Sequence, residues 1–442
     1  MAKKKAGASA TKRVYETIIV ILLLIVIALC AIIIIKRNNT DPIISTTPTP
    51  EPTGVIDTDE PTDPGNETPS PTPNSTPGPK TPDPDIGELV EYKGRIEHVF
   101  FHSLIAFPEL AFTQTNKESL VSTTWFIDFV TVSEFKKILT ALYNDGYMLV
   151  NVNDIYKEKV ENGITKYEII PFLFPKNKKP LIMSFDDTNY YSNKLGVGTV
   201  DKLILNEEGK VVTYTKMKNG QEIVSDDNEY IPIIDKFVEE HPDFSFNGAK
   251  GMICLTGFDG ILGYRTHRDS PNRQSEIDKV KPIVKALKDT GWYFASHSYK
   301  HGNMANYSVA SMRDCAQKFK NEVIPLIGET KIYVYPYGSW KVGEVQNVLS
   351  NEFGFQYFCS VGANYYIKTR PDMNNIVFQD RANFDGFTLM HNGPLMVKYK
   401  DWGTPRFPSF DVDEIYNEEE RGISRKEAQE IHARLFNISP RG

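Results

Sequence analysis

At positions 181–187 the chain reads Leu-Ile-Met-Ser-Phe-Asp-Asp, an apolar run after Pro180 that ends in two adjacent carboxylates. A short apolar run of this kind predicts a buried β-strand. Two carboxylates at one strand end repel each other unless protons or a cation hold them. A metal on one would leave the other free to act as a base. The pattern is equally typical of a turn after a strand, so the pair needs partners from elsewhere in the chain.

A second polar cluster follows the predicted strand 293–296, where the chain reads His297-Ser-Tyr-Lys-His301. Two histidines four residues apart can converge on one metal if they share a helical turn. With an aspartate as third ligand they would form a two-histidine, one-carboxylate site that suits zinc or another divalent transition metal. The glutamate of a His-Glu-x-x-His protease is missing, which excludes that class. Two surface histidines on a loop remain the alternative for this pair alone.

The chain from Glu91 onward predicts alternating strands and helices. A strand is expected at 98–104, a helix opening at Val132 with Ser133 as its N-cap, and a short helix at 152–160. The region near 190–229 departs from this rhythm and predicts an inserted β-hairpin. The four cysteines have no Cys-x-x-Cys spacing and no evident disulfide framework, so thiolate metal binding is not expected.

Three strand-end motifs together resemble the polysaccharide deacetylases, carbohydrate esterase family 4, with its NodB-homology domain. Ser184–Thr188 is similar to Thr-Phe-Asp-Asp-Gly, His297–His301 to His-Ser/Thr-x-x-His, and Val334–Gly338 to Arg-x-Pro-Tyr-Gly. The resemblance covers roughly 98–391. Thr188 replaces the glycine, and Val334 replaces an arginine that in relatives helps to hold the base aspartate. The Asp-Trp pair of the fourth motif is not found at its expected place.

The resemblance implies a distorted (β/α) barrel of about seven strands, with the site at the C-terminal ends of the strands. It assigns one divalent transition metal to Asp187, His297 and His301, with zinc expected and cobalt, nickel or iron as alternatives. Asp186 would take the proton of the attacking water. Leu389-Met-His391 has the form of the fifth motif, which would make His391 the catalytic acid. The remaining predicted substrate or oxyanion contacts are Pro336, Tyr337, Tyr299, Trp340 and Arg381, and Arg381 is also a candidate for the arginine of a later motif.

The implied activity is removal of N-acetyl groups from a cell-wall or surface polysaccharide, with peptidoglycan-type sugars as the expected substrate. Two alternatives stay open at this point. One is a catalytically inactive wall-binding module of the same fold, suggested by the missing arginine, and the other is an O-acetyl esterase. The net charge of -7 and the absence of a basic patch argue against nucleic acid as a partner. No obligate protein partner is indicated.

The amino-terminal residues predict a membrane anchor. Residues 17–35 are an apolar run, and about twenty residues suffice to span a bilayer. Five Lys or Arg residues precede the run and two follow it, which predicts a cytoplasmic tail at 1–16 and a single-pass protein with its remainder outside the cell. Residues 36–90 are expected to be a disordered Pro/Thr-rich linker reaching on the order of 100 Å. The catalytic domain is then 91–442, on the cell-wall side.

Overall fold

The structure is a computed structural model that describes residues 87–161, 164–362, 368–370, 376–391, 407 and 409–437. The predicted tail at 1–16, the predicted anchor at 17–35 and nearly all of the predicted linker at 36–90 lie outside these residues. Within the described ranges, no helix is both long enough and apolar enough to cross a membrane.

Strands and helices alternate along most of the chain, as the sequence predicts for an α/β fold. The strands are β1 (Leu89–Glu91), β2 (Glu97–Phe101), β3 (Tyr147–Leu149), β4 (Tyr156–Glu161), β5 (Ile164–Ile169), β6 (Leu173–Pro175), β7 (Lys179–Asp186), β8 (Lys202–Leu205), β9 (Val211–Lys216), β10 (Glu222–Ser225), β11 (Met252–Leu255), β12 (Tyr293–Ser296), β13 (Ile332–Val334), β14 (Tyr357–Val361), β15 (Lys368–Arg370) and β16 (Ile376–Asn383).

The described α-helices are mostly short, and five of them have eleven or more residues. They are α1 (Pro108–Ala111), α2 (Lys117–Val121), α3 (Thr124–Asp128), α4 (Val132–Asn144), α5 (Tyr230–Glu240), α6 (Arg273–Asp289), α7 (Val309–Glu322), α8 (Ile324–Ile327), α9 (Glu344–Asn347), α10 (Gly386–His391), α11 (Val412–Ile415), α12 (Glu418–Arg421) and α13 (Arg425–Leu435). A π-helical turn at Val348–Glu352 continues α9.

Seven strands close into a parallel barrel in the order β2, β7, β11, β12, β13, β14, β16 and back to β2. The spatial order of these strands equals their order in the chain, so each helical crossover joins neighbouring strands. β3 lies beside the first half of β7, whereas β11 pairs with its second half. The prediction of an α/β barrel of about seven strands is therefore confirmed.

The alternation of side chains along β7 divides its residues between two cores. Ile182 packs with the apolar residues of the barrel interior, while Leu181, Met183 and Phe185 pack with those of the surrounding helices. Successive side chains of a strand point to opposite faces, so Ser184 and Asp186 fall on the same face as Ile182. The apolar run therefore fixes the direction in which Asp186 points, toward the barrel axis.

The helix predicted to open at Val132 is present as α4, but its cap is Thr131 and not Ser133. The Thr131 hydroxyl accepts a hydrogen bond from the backbone N–H of Glu134, and the Glu134 carboxylate accepts one from the backbone N–H of Thr131. This reciprocal capping box satisfies two amide groups that the helix start would leave without partners. Ser133 instead donates to Glu420, which belongs to the carboxyl-terminal segment.

Two local predictions differ from the structure. The short helix expected at 152–160 is wrong, because Val152–Asp154 is one 3-10 turn and Tyr156–Glu161 is strand β4, paired with β5. Asn162-Gly163 is the signal in the sequence, since that dipeptide is typical of two-residue hairpins. The insertion near 190–229 contains three antiparallel strands, β8 to β10, where the sequence predicted two.

Candidate active site and metal centre

A cleft of about 800 Å³ opens at the carboxyl-terminal ends of the barrel strands. Three predicted motifs contribute to its lining. They supply Asp186 at the end of β7 and Asp187 next to it, His297 and His301 after β12, and Tyr337 after β13. The carboxyl ends of parallel strands in a closed barrel meet at one rim, which is why segments more than a hundred residues apart share this cleft.

Asp187, His297 and His301 each turn one ligand atom toward the others, and these atoms lie within 4.8 Å of one another. The His301 Nε2 atom is 3.6 Å from Asp187 Oδ2, and the two imidazole rings have centroids 4.9 Å apart. One carboxylate oxygen and two imidazole nitrogens are a donor set that zinc and other divalent transition metals bind. These three side chains fit such an ion.

Neighbouring groups orient two of the three ligands. The His297 Nδ1 atom lies 3.1 Å from the carbonyl oxygen of Val334, which can only accept, so Nδ1 carries the proton and Nε2 keeps its lone pair. Burial lowers the pKa of His297 to about 4, which keeps the ring neutral as a ligand must be. Tyr191 donates its hydroxyl proton to Asp187 Oδ1 at 2.6 Å and contacts Thr256.

The two histidines converge without a helical turn, contrary to the condition set by the sequence. The connecting segment is a loop in which Ser298 and His301 have φ values of 61° and 51°. Asp187 and Tyr337 also adopt left-handed backbone, with φ values of 60° and 58°. Such conformations cost about 1–3 kcal/mol for non-glycine residues and cluster at functional sites. The left-handed backbone at Asp187 also lets the adjacent carboxylates point in different directions, with Asp186 toward Arg381 and Asp187 toward the two histidines.

Asp186 is held by Arg381 from inside the barrel. The guanidinium donates to both carboxylate oxygens, from Nη1 to Oδ1 at 2.7 Å and from Nη2 to Oδ2 at 2.8 Å. Both side chains are almost completely buried. Burial alone would raise the pKa of Asp186, but the charge and the hydrogen bonds of Arg381 outweigh it and leave the pKa well below its ordinary value. Asp186 is therefore an ionised carboxylate at neutral pH.

Arg381 replaces the arginine that is absent at Val334. It reaches Asp186 from β16, across the neighbouring strand β2, with its guanidinium 4.2 Å from the centre of the Phe100 ring. The Ser184 hydroxyl and the Ser360 carbonyl accept further hydrogen bonds from it. Arg381 is 1% exposed and lines the cleft beside Asp186, so its predicted contact with substrate stays a prediction.

Among the predicted aromatic contacts, only Tyr337 reaches the cleft. Its side chain is 70% exposed, and its ring lies 4.7 Å from that of His301. Tyr299 is buried and donates its hydroxyl proton to Glu322. Trp340 packs on Phe378, and Pro336 is buried below the turn. Tyr299, Trp340 and Pro336 are not among the residues that line the cleft, and their predicted contacts with substrate stay predictions.

His391 is not brought to the cleft. It ends α10, and its Nε2 atom lies 3.0 Å from Nδ1 of His432 in α13. Burial lowers the pKa of His391 to about 4, and the charges of His432 and Arg425 add to this effect. A group with so low a pKa is a poor proton donor at neutral pH. His391 lies outside the residues that line the cleft, and its assignment as catalytic acid stays a prediction.

His102 also lines the cleft. Its Nδ1 atom lies 2.9 Å from the carbonyl oxygen of Asp128, which makes Nδ1 the protonated donor and leaves Nε2 for other partners. His102 follows β2, just as the other cleft groups follow their strands. Its position directly after a strand is the sequence feature that could have identified it as a cleft residue.

Three more cleft residues carry no recognisable motif, namely Tyr191, Phe258 and Lys194. The rings of Tyr191 and Phe258 are stacked with centroids 5.0 Å apart, and Phe258 is 42% exposed. They come from loops after β7 and β11, where side-chain roles depend on loop conformation and not on a spacing rule.

Comparison with known proteins identifies a family. The family model described as polysaccharide deacetylase matches residues 269–358, a range that contains His297, His301 and Tyr337. The predicted family is thereby confirmed. The matched range ends well short of Asp186 and Asp187, which precede the inserted strands β8 to β10. No curated protein matches the chain.

Several solved structures of deacetylases are similar to this chain. The PplD deacetylase of Streptococcus pyogenes, solved with acetate, is 12% identical, with 66% of this chain and 93% of that chain covered and a TM-score of 0.37. IcaB of Ammonifex degensii is 12% identical, with 67% and 94% covered and a TM-score of 0.34. The BpsB deacetylase domain of Bordetella bronchiseptica is 11% identical, with 67% and 98% covered and a TM-score of 0.34.

Proposed function

We propose that the chain is a metal-dependent deacetylase that removes N-acetyl groups from a cell-wall or surface polysaccharide. The observation that carries this proposal is the meeting of Asp187, His297 and His301 beside the ionised carboxylate of Asp186. The polysaccharide deacetylases are hydrolases that act on N-acetyl groups, and the family match supports the same reaction here. The alternative of an inactive module rested on the missing arginine, and Arg381 now supplies that contact to Asp186.

Asp187, His297 and His301 would hold the metal, which when bound supplies Lewis-acid chemistry by polarising a carbonyl and acidifying water. Asp186 accepts the proton of the attacking water. Arg381 occupies one lone pair on each Asp186 oxygen, and a carboxylate offers about four such sites, so acceptor capacity remains toward the cleft. The Tyr337 backbone N–H, on the left-handed turn beside His301, is the proposed donor to the oxyanion.

His102 is the proposed proton donor to the leaving amine. It lines the same cleft as Asp186, and its charge is among those that counter the effect of burial on the pKa of Asp186. The Asp128 carbonyl fixes its tautomer and ring orientation through Nδ1. General-acid catalysis requires the donor within reach of the reacting atoms, which the cleft position of His102 offers and the position of His391 does not.

The proposed substrate is a glycan of the peptidoglycan type, approached by a domain tethered to the cell membrane. The exposed ring of Phe258 and that of Tyr337 line the cleft and offer apolar faces to sugar rings. The apolar run at 17–35 and the Pro/Thr-rich stretch after it support anchoring with the domain outside. Protease added to intact, wall-stripped cells should release a soluble fragment starting within 36–90, and full protection would contradict this topology.

The decisive test is acetate release from a panel of N-acetylated and O-acetylated glycans, with and without chelator. We expect chelator-sensitive release from N-acetylated substrates. Release from O-acetylated glycans alone would make the protein an esterase, and no release from any would favour the inactive module. Elemental analysis should find close to one divalent transition metal per chain, and His297→Ala or His301→Ala should lose it. Full occupancy in both variants would remove this site from consideration.

Substitution of the two aspartates separates base from ligand. Asp186→Asn should retain the metal and lose roughly 10²- to 10⁴-fold in turnover, because an amide cannot accept the proton. Asp187→Asn should bind metal more weakly and regain part of its activity when metal is added. Rescue of Asp186→Asn by metal, with Asp187→Asn metal-replete but inactive, would reverse the assignment.

A matched pair of histidine variants tests the proton donor. His102→Gln should lower turnover by at least about 10²-fold, because it removes a general acid. His391→Gln should leave turnover within about threefold of wild type, since His391 contacts His432 outside the cleft. A large loss in His391→Gln with little change in His102→Gln would restore the assignment made from the sequence.

A further inference from the structure

Lys194 is a cation fixed in the wall of the cleft. It ends the 3-10 turn Ser192–Lys194, eight residues after Asp186, and its side chain is half-buried. Its Nζ atom lies over three aromatic rings, at 4.9 Å from the centre of Phe129, 5.3 Å from Tyr191 and 5.9 Å from Trp125. Aromatic faces attract an ammonium group and restrict where it can lie.

The loop that carries Lys194 is braced by an ion pair of its own. Asp259 accepts a hydrogen bond from the Ser192 backbone N–H at 2.6 Å and lies 3.1 Å from Arg265. Arg265 in turn donates to the carbonyl oxygen of Tyr190 at 2.6 Å. The segment that enters the turn, Tyr190–Ser192, is thus tied to the loop after β11. A group held in this way loses little conformational entropy when it binds a ligand.

Three of the cleft carboxylates that could neutralise Lys194 have partners of their own. Asp186 is paired with Arg381, Asp259 with Arg265, and Asp187 belongs to the metal cluster. Within the described part of the chain, no carboxylate oxygen lies within 4.0 Å of the Lys194 ammonium. Asp128 also lines the cleft without forming an ion pair to Lys194, so an internal role in balancing Asp128 is the competing explanation.

We propose that Lys194 binds an anionic substituent of the glycan, a carboxylate or phosphate carried on or beside the acetylated sugar. The stacked rings of Tyr191 and Phe258 lie on the same wall, which provides an apolar face for the sugar next to a cation for its charge. This inference rests on the proposed function and narrows it to acidic polysaccharides. An ammonium with three donors and no hydrogen-bond acceptor among the described residues matches the several oxygens of a carboxylate or phosphate.

The test uses the full chain in detergent with matched glycans. One is an oligosaccharide of N-acetylglucosamine and N-acetylmuramic acid with free lactyl carboxylates, and its control carries N-methylamides at those carboxyls. A second pair consists of neutral chitotetraose and the same sugar bearing a 6-phosphate. The first pair tests for recognition of a carboxylate, and the second tests for recognition of a phosphate. Wild type should favour one charged member over its neutral control by roughly tenfold in kcat/KM, as expected for a half-buried charge pair.

Lys194→Met should abolish this preference and leave activity on the neutral sugars within about threefold. Lys136→Met, which removes an exposed lysine paired with Asp227, should change neither rate. Equal losses on charged and neutral glycans in Lys194→Met would assign the lysine to internal charge balance and overturn the proposal, as would a wild-type enzyme without preference.

Calorimetric binding separates this inference from the proposed reaction. In the Asp186→Asn background, the charged glycan should bind more tightly than its neutral control, and the difference should shrink in high salt because salt screens the pair. Adding Lys194→Met should remove the difference. If no glycan yields acetate but this binding difference is present, the reaction is wrong and the Lys194 site stands. Equal affinities for the charged glycan and its neutral control would overturn the Lys194 site, whether or not the protein releases acetate.

Discussion

Replacing Arg381 by methionine should destabilise the domain strongly and in a pH-dependent way. The variant leaves the Asp186 carboxylate buried without its partner, and both side chains are at most 4% exposed. Breaking a buried ion pair by removing one member costs about 3–5 kcal/mol, a large part of the roughly 5–15 kcal/mol that stabilises a domain. Because isolated buried charges avoid this cost by protonation, the pKa of Asp186 should rise in the variant.

The sign of the pH dependence follows from the two pKa values of Asp186. In wild type the folded pKa lies below the unfolded one, so its contribution to stability is present above about pH 4 and is lost only in acid. In Arg381→Met, burial raises the folded pKa above the unfolded value, and stability is lost as pH rises. The deficit against wild type should therefore be greatest near pH 7–8 and should shrink toward pH 4.

The assay is chemical unfolding in chelator at pH 4 to 8, so that no metal compensates the charge. Arg313→Met is the matched control, because Arg313 forms the same two-pronged pair with Glu352 at 2.7 Å but both side chains are about half exposed. Because an exposed ion pair contributes little, this control should lower the free energy of unfolding far less than Arg381→Met at every pH. The reasoning is refuted if Arg381→Met costs no more than this control, or if its deficit is the same across the pH range.

Three further outcomes are expected. Arg421→Met should cost about 3–5 kcal/mol, because it leaves Glu134 buried without its ion pair, and denaturant unfolding measures this; a cost near zero would contradict it. Glu229 has a pKa raised to about 8, chiefly by burial, so wild type should lose stability between about pH 4.5 and 8, whereas Glu229→Gln should lack this part of the slope in thermal unfolding. His391, with a pKa of about 4, should cost stability as pH falls from about 6.5 to 4, and His391→Gln should lessen that loss against wild type; an unchanged acid slope would disprove it.

Arg421 also connects the carboxyl-terminal segment to the cleft. Its guanidinium donates to the carbonyl oxygens of Phe126 and Phe129, on either side of Asp128. The carbonyl of Asp128 is the acceptor for His102 Nδ1. The segment that includes α12 therefore supports the wall from which the proposed proton donor is oriented. No motif in the sequence indicates this long-range link.

The sequence by itself determined the groups that carry the chemistry and the ends of the elements that present them. The apolar run into Asp186 and Asp187 and the strand before His297 are local patterns, and period-two alternation already sets which way a strand residue points. Parallel strands of a closed barrel present their carboxyl ends at one rim, so recognition of the motifs was sufficient to place them together.

Only the tertiary structure decided which distant side chains complete the site. Arg381 reaches Asp186 because β2 alone separates β16 from β7, whereas Val334 lies on another strand of the ring. His102 faces the cleft and His391 pairs with His432, although both histidines were visible in the sequence. A buried charge must find its partner wherever packing and strand register bring one within about 3 Å, and these depend on contacts between residues hundreds of positions apart. Spacing along the chain carries no information about such contacts.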